Sequence, residues 1–184
     1  MSFSQLYLEA VRDTLTRIDL ARVEQAIAWF GEARQNKRQI FVCGNGGSAS
    51  TSSHFAADMA KCARFRILAL NENLSTITAY ANDLGYDSIF AEQLKNFAVA
   101  GDLVMCLSGS GNSPNVVRAV EYANSNRCRT IALTGRGGGQ LGALAQLNIQ
   151  VPVPHMGRIE EAHMVICHMI AYRFIEEPWG ATTP

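Results

Sequence analysis

Short apolar runs that alternate with stretches of helical spacing constrain the fold of this chain more than any other feature. The runs are residues 39–43, 67–70, 103–107 and 130–134, with a fifth at 148–153. The helical stretches lie at about 48–63, 75–98, 114–126, 139–146 and 158–176. Continuous apolar runs of this length are typical of strands buried on both faces. Strands alternating with helices predict an α/β fold, with a five-stranded parallel sheet sandwiched by helices.

The first 36 residues differ from the rest, because their apolar residues recur at helical spacing with no strand between them. They predict two consecutive helices, or one bent helix, ahead of the sheet. No repeat, linker or change of composition divides the 184 residues, so we expect a single domain over 1–184. Residues 178–184 are expected to form a flexible tail.

The charge balance limits the partners of this chain. Sixteen basic and sixteen acidic residues give a net charge of zero, so no global positive field attracts nucleic acid or an anionic membrane. Charged residues make up only 17% of the chain, against roughly 25% in typical soluble domains. Because interface cores are depleted of charge, we expect an oligomer.

The cellular compartment is suggested by cysteine usage and by the N-terminal residues. Five cysteines, an odd number without C-x-x-C spacing, indicate reduced thiols rather than a disulfide framework. Acidic residues in the first thirty positions argue against a signal peptide, and no apolar run reaches the ~20 residues of a membrane span. We therefore expect a cytoplasmic protein.

Two loops at strand ends have the composition of an anion site. The first run is followed by Gly44-Asn45-Gly46-Gly47-Ser48, where glycines and a helix N-terminus bring backbone N–H groups to a ligand. The third run is followed by Ser108-Gly109-Ser110-Gly111-Asn112-Ser113, with Pro114 as the first helical residue. Both loops lack lysine and arginine, so they predict a small phosphate held by hydroxyl and amide groups. Tight capping turns without a ligand are the alternative.

These loops belong to a longer series of motifs through which the chain resembles the SIS (sugar isomerase) family, and within it the sedoheptulose 7-phosphate isomerases. The series comprises residues 43–48, 54–57, 81–83, 108–113, 133–139 and 158–168. The resemblance implies a flavodoxin-like sheet, an N-terminal helix used in assembly, and a homotetramer with active sites between subunits. It also implies aldose–ketose isomerisation of a seven-carbon sugar phosphate for lipopolysaccharide, capsule or glycoprotein heptoses.

The resemblance assigns roles to individual residues. The phosphate would be held by the loop glycines Gly46 and Gly47 and by Ser48, Ser108, Gly109, Ser110 and Ser113. The sugar would face Asn45, Asn82 and Asp83. One Zn²⁺ per subunit would be bound by His54, Asp58, Glu160 and His168. Asp58 is assigned as the catalytic base and His168 as its acid/base partner.

Two of these positions depart from the isomerase pattern. Asp58 stands where the isomerases carry glutamate, so its carboxylate is more than an ångström shorter in reach, and a misplacement of that size can cost ~10²-fold in rate. Glu160 stands where they carry glutamine and adds a negative charge. Helical periodicity alone would pair Glu161 rather than Glu160 with His168, since those two differ by only ~20° around the helix.

Some alternatives remain open at the level of sequence. The chain is either an isomerase of this or another phosphosugar, or a non-catalytic SIS module that binds a sugar phosphate or a protein. Retention of Asp58 and His168 favours the enzyme. His163 is either a core histidine or a support for the site, and His155 is predicted to lie in a loop. A substrate-side arginine of the isomerases has no certain counterpart here, with Lys61 and Arg64 as candidates.

Overall fold

The computed structural model describes residues 1–176, so the predicted tail at 178–184 lies outside the described residues. The helices are α1 (Phe3–Thr16), α2 (Leu20–Gln35), α3 (Gly47–Lys61), α4 (Leu74–Leu84), α5 (Ile89–Phe97), α6 (Pro114–Ser125), α7 (Gly139–Leu144) and α8 (Met156–Ile175). The strands are β1 (Ile40–Gly44), β2 (Ile67–Ala69), β3 (Leu103–Ser108), β4 (Arg129–Gly135) and β5 (Leu147–Val151).

All five strands pair in parallel, in the order β2-β1-β3-β4-β5. This is the flavodoxin-like order, in which the chain reverses its direction of travel across the sheet between β1 and β3. The predicted fold class, a five-stranded parallel sheet between helices with an N-terminal helical extension, is confirmed.

Helices cover both faces of the sheet. Successive side chains of a strand point to opposite sides, so each strand contributes to a core on either face. Ile40 and Val42 of β1 pack in a core with α2, α3 and α8. Phe41 and Cys43 of the same strand pack in a second core with α5, α6 and α7. β1 and β3 are buried along their whole length, which explains their continuously apolar sequence.

The structure decides between the two alternatives for the N-terminal stretch and corrects one predicted helix. The N-terminal stretch is two helices, since α1 ends at Thr16 and Asp19 caps α2 by accepting from the amides of Ala21 and Arg22. The predicted helix over 75–98 is divided into α4 and α5 by Gly85 and by a short 3₁₀ turn at Tyr86–Ser88. The φ of Gly85 is 86°, a conformation that glycine adopts readily but that strains other residues.

Within residues 1–176, no helix combines the length and the apolar character needed to cross a membrane. The five cysteines are free thiols; four are buried and Cys62 is exposed.

Candidate active site

The two glycine- and serine-rich loops lie side by side at one edge of the sheet. The loop of residues 44–48 follows β1, and the loop of 108–113 follows β3, the strand paired with β1. In open α/β sheets ligands bind beyond the carboxyl ends of the strands, at the point where the strand order reverses. The sequence pattern of the loops and the topology of the sheet therefore indicate the same candidate binding site.

The first loop turns directly into α3. Gly46 is the N-cap residue, with φ 54° and ψ −122°, and no side chain caps the helix there. Because a side chain at this φ is strained, glycine is required for the turn. The first amides of α3 and its partial positive charge are thus left for a ligand.

The second loop gathers three hydroxyl groups. Ser108 Oγ lies 3.4 Å from Ser110 Oγ and 3.2 Å from Ser113 Oγ. Ser113 is the N-cap residue of α6, yet its hydroxyl makes no capping hydrogen bond and faces Ser108 instead. Hydroxyls that meet one another at a helix N-terminus form a cradle of donors suited to phosphate oxygens.

Gly111 fixes the second loop against the turn that precedes α7. Its φ is 68°, its carbonyl accepts from the amide of Leu141 at 2.9 Å, and a Cβ on it would collide with the carbonyl of Gly138. Asn112 adds a second tie, because its side-chain oxygen accepts from the amide of Gln140 at 3.0 Å. The serine loop is therefore held in shape before any ligand binds.

The two loops and the start of α8 line an open pocket of about 250 Å³, termed the phosphate-type pocket for its hydroxyl and amide donors. Eight of the ten predicted substrate residues line it, and Leu107, Met156 and Glu160 complete the lining. No lysine or arginine is among these residues. The exceptions are Asn82 and Asp83, which lie exposed on α4, with Asn82 Nδ2 donating to Asp83 Oδ1 at 2.8 Å.

Two histidines and an aspartate form a second cluster, where α3 packs against α8. His54 Nε2 lies 3.3 Å from Asp58 Oδ2, one helical turn further along α3, and 3.1 Å from His168 Nε2 on α8. His168 Nε2 lies 4.0 Å from the same carboxylate oxygen. The side chains of His54 and His168 are 49% and 41% exposed, so the cluster is open to solvent.

This cluster has the donor set and the dimensions of a metal site. Its three ligand atoms lie within 4.8 Å of one another. Ligands at the usual ~2.0–2.1 Å from a tetrahedral zinc ion are themselves about 3.4 Å apart, close to the three distances seen here. Two imidazoles and a carboxylate suit zinc chemically, and a three-residue set leaves the open position that catalytic zinc sites keep. The residues therefore fit the ion.

Glu160, the fourth ligand predicted from the resemblance, is not in this cluster. Its carboxylate lies over Gly47, where a Cβ would be only 2.5 Å from Oε1, and so borders the phosphate-type pocket. Glu161, the residue that periodicity pairs with His168, instead accepts a hydrogen bond from the Tyr7 hydroxyl at 2.9 Å. That bond raises the pKa of the Tyr7 phenol. It also ties α1 to α8.

The other two histidines, His163 and His155, lie outside the cluster and make contacts that support the fold. His163 is buried beneath β4, and its Nε2 lies 3.1 Å from the carbonyl of Thr134. Burial lowers the pKa of His163 to about 4, so the ring is neutral at pH 7 and carries its proton on Nε2. His155 is the N-cap residue of α8, where Nδ1 accepts from the amide of Arg158.

Two polar residues of the site were missed from the sequence. Asn115, at the second position of α6, exchanges two hydrogen bonds with Asn45, and the Tyr86 hydroxyl donates to Asn45 Oδ1 at 3.0 Å. Asn115 follows Pro114 directly, so its place beside the serine loop was a usable signal. Tyr86 comes from the 3₁₀ turn after Gly85, and nothing in the local pattern links it to Asn45.

Known proteins share much of the sequence of this chain. The sequence profile of the SIS domain matches residues 6–135. The phosphoheptose isomerase of Citrifermentans bemidjiense is 41% identical over 155 residues, which cover 80% of each chain. That of Helicobacter pylori is 36% identical over 169 residues, covering 88% of this chain and 86% of its own.

A solved structure is also similar to this chain. The structure of phosphoheptose isomerase GmhA from Neisseria gonorrhoeae superposes with a TM-score of 0.88 at 33% identity, covering 95% of this chain and 97% of its own. The flavodoxin-like strand order and the two anion-type loops of this chain thus occur in a fold shared with its relatives. The chain belongs to the SIS domain family.

Proposed function

We propose that this chain is an aldose–ketose isomerase that converts sedoheptulose 7-phosphate into D-glycero-D-manno-heptose 7-phosphate, for heptose biosynthesis. Relatives named phosphoheptose isomerase, at 34–42% identity, support this substrate. The observation that carries the proposal is the cluster of His54, Asp58 and His168. His54 lies seven residues beyond Gly47 on α3, about 10 Å along the helix from the phosphate-type pocket. That spacing suits the two ends of one extended sugar phosphate.

The pocket binds the phosphate of the substrate. Hydroxyls of Ser48, Ser108, Ser110 and Ser113 donate to its oxygens, together with amides at the N-terminus of α3. Among residues 1–176, no lysine or arginine lines the pocket, so its attraction for the anion comes from hydrogen bonds and the helix dipole. A phosphate held in this way is released more readily than one clamped by arginine. The predicted contacts of Asn82 and Asp83 with the sugar remain predictions.

The cluster carries out proton transfer. Isomerisation requires a base that takes the proton from the carbon beside the carbonyl, leaving an enediolate, and an acid that returns a proton to the neighbouring carbon. We assign Asp58 as the base, since its carboxylate is half-buried between two imidazoles. His168 is its acid/base partner and moves the proton between the two substrate oxygens. Histidine suits this role because its ring nitrogens can both donate and accept a proton.

Zinc is the cofactor that we propose for this cluster, one ion per subunit. His54, Asp58 and His168 would hold it, through two imidazole nitrogens and a carboxylate oxygen. When bound, the ion supplies polarisation of the substrate oxygens. Glu160, the fourth ligand that the resemblance implies, is left out of this set, because its carboxylate lies over Gly47 rather than beside the imidazoles.

We further propose that the enzyme is a homotetramer whose active sites lie between subunits, with α1 used in assembly. Exposed apolar side chains of α1 support this, because Phe3, Leu6 and Leu8 are 80%, 49% and 62% exposed. The half-exposed histidines also need a cover that would exclude water from the reaction. A charged metabolic substrate and five free thiols favour the cytoplasm. Light scattering after gel filtration tests the assembly.

One experiment tests the activity. The purified protein, loaded with Zn²⁺, is incubated with sedoheptulose 7-phosphate in D₂O, and aldose formation and deuterium at the exchanged carbon are followed. We expect both in the wild type, both lost in His168→Ala, and both retained in His155→Asn, a matched control that keeps a capping side chain on α8. Binding without exchange from any ketose phosphate would favour a non-catalytic SIS module instead. Exchange with another ketose phosphate, but not this one, would reassign the sugar.

A further inference from the structure

The side chain of Asn45 is held in a hydrogen-bond network that fixes which of its atoms a ligand can meet. Asn45 Nδ2 donates to Asn115 Oδ1 at 2.8 Å, and Asn115 Nδ2 donates back to Asn45 Oδ1 at 2.9 Å. The Tyr86 hydroxyl lies 3.0 Å from Asn45 Oδ1. Asn45 itself lines the pocket between the two loops.

The orientation of the Asn115 amide is set by the backbone. The amide of Val116 can only donate, and it lies 3.0 Å from Asn115 Oδ1. The oxygen of Asn115 must therefore be on that side, which leaves Nδ2 as the atom facing Asn45 Oδ1. Since Asn115 is only 1% exposed, water does not compete for these bonds.

The orientation of the Asn115 amide in turn fixes the orientation of the Asn45 amide. Its oxygen accepts two hydrogen bonds, from Asn115 and from Tyr86, so both lone pairs are used. Its nitrogen has two hydrogens, of which one is donated to Asn115. The second N–H has no hydrogen-bond partner within residues 1–176, so the pocket meets Asn45 as a donor only.

We infer that Tyr86 and Asn115 are positioning residues that hold the Asn45 amide with one N–H toward an oxygen of the bound sugar phosphate. The inference rests on the proposed isomerase function. A fixed donor needs no reorganisation when the substrate enters the pocket, so it tightens binding rather than lowering the barrier of the chemical step. An amide free to rotate would present its oxygen part of the time and repel the substrate oxygen.

Tyr86 is the better residue to change, because its side chain is 55% exposed and loss of its hydroxyl leaves the fold intact. We expect Tyr86→Phe to raise KM about fivefold and to change kcat by less than about twofold, the range of one hydrogen bond. In an Asn45→Ala background the same change should have no further effect on KM, because Tyr86 acts through Asn45. Additive losses of affinity, or a change in kcat alone, would overturn the inference.

The chain offers a matched control. Tyr80 OH accepts from Asn96 Nδ2 at 2.7 Å, another tyrosine–asparagine pair, between α4 and α5 and outside the pocket. Tyr80→Phe should leave kcat and KM unchanged. If it raises KM as much as Tyr86→Phe does, the effect of Tyr86 belongs to packing of this region and the inference fails.

A second measurement does not depend on turnover, so failure of the inference and failure of the proposed function are distinguishable. In protein labelled with ¹⁵N-asparagine, the Asn45 side-chain signal is identified by its loss in Asn45→Ala. One of its two protons should exchange slowly with water and the other quickly, and Tyr86→Phe or Asn115→Ala should speed the slow one. Equal exchange rates in the wild type and Tyr86→Phe would overturn the inference, whether or not the protein isomerises a sugar.

Discussion

His54 Nε2 and His168 Nε2 lie 3.1 Å apart, although 114 residues separate them in sequence. At that distance only one of the two nitrogens can carry a hydrogen, since two N–H groups would repel. Asp58 Oδ2 lies 3.3 Å from the first nitrogen and 4.0 Å from the second. Three electron-rich atoms thus surround one small volume, which favours a proton or a cation there.

Zinc content tests this arrangement. His54→Ala and His168→Ala each remove one of three donors, so zinc per subunit, measured by elemental analysis after dialysis, should fall from about one to below about 0.1. Phosphate affinity should change little, because neither residue lines the phosphate-type pocket. The control His155→Asn should keep its zinc. A wild-type protein that takes up no metal contradicts the proposed cofactor, and equal loss of phosphate binding would give His168 a structural role.

Glu160→Gln tests whether the Glu160 carboxylate borders the phosphate-type pocket or binds the metal. Removal of a negative charge from the border of the pocket should raise the affinity for inorganic phosphate about fivefold, by calorimetry at low salt. Zinc content should stay unchanged, because the Glu160 carboxylate lies over Gly47. Loss of zinc with unchanged phosphate affinity would instead establish Glu160 as a metal ligand. Glu161→Gln, at the neighbouring position, controls for charge on α8 in general.

Gly111→Ala should disrupt the serine loop. Its φ of 68° is strained for alanine, and the added Cβ collides with the carbonyl of Gly138. We expect the free energy of unfolding to fall by ~2 kcal/mol or more and phosphate binding to weaken at least about tenfold. Urea denaturation and calorimetry measure the two effects. Gly137→Ala is the control, since a Cβ there contacts nothing within 4 Å and the φ of Gly137 is not positive.

His163 should make stability depend on pH. Its pKa is lowered to about 4 in the folded chain, against about 6.5 in the unfolded one, so the unfolded state binds more protons between these values. The contribution of the neutral ring is therefore complete above pH 6.5. It is lost progressively as the pH falls toward 4, at up to about 1.4 kcal/mol per unit.

Comparison with a variant isolates this effect from other titrating groups. The difference in free energy of unfolding between the wild type and His163→Gln should shrink as the pH is lowered from 7 to 5, because glutamine does not titrate. Urea denaturation at three pH values is sufficient. A constant difference over that range would mean that the pKa of His163 is the same in the folded and the unfolded protein.

Much of the fold was predictable because each strand and helix carries its own local signal. β1 and β3 are continuously apolar, and both of their faces are buried. The break at Gly85 was missed, since the apolar spacing of 75–98 continues through it and only the positive φ of one glycine ends α4. Periodicity also failed for Glu161. Its partner is Tyr7, on a helix 154 residues away, and an angle within α8 carries no information about that helix.

The sequence by itself determined the strand and helix pattern, the two glycine- and serine-rich loops that line one pocket, and the one-turn spacing of His54 and Asp58. These are local properties, set by side-chain periodicity, glycine conformations and helix ends. The resemblance predicted that His168 joins that pair, and the three side chains do lie together. Only the tertiary structure decided that Glu160 lies over Gly47 and that Asn45 is held by two residues from other elements. Such contacts depend on how α3, α6 and α8 pack on the sheet, and that packing is settled by the whole core rather than by any segment.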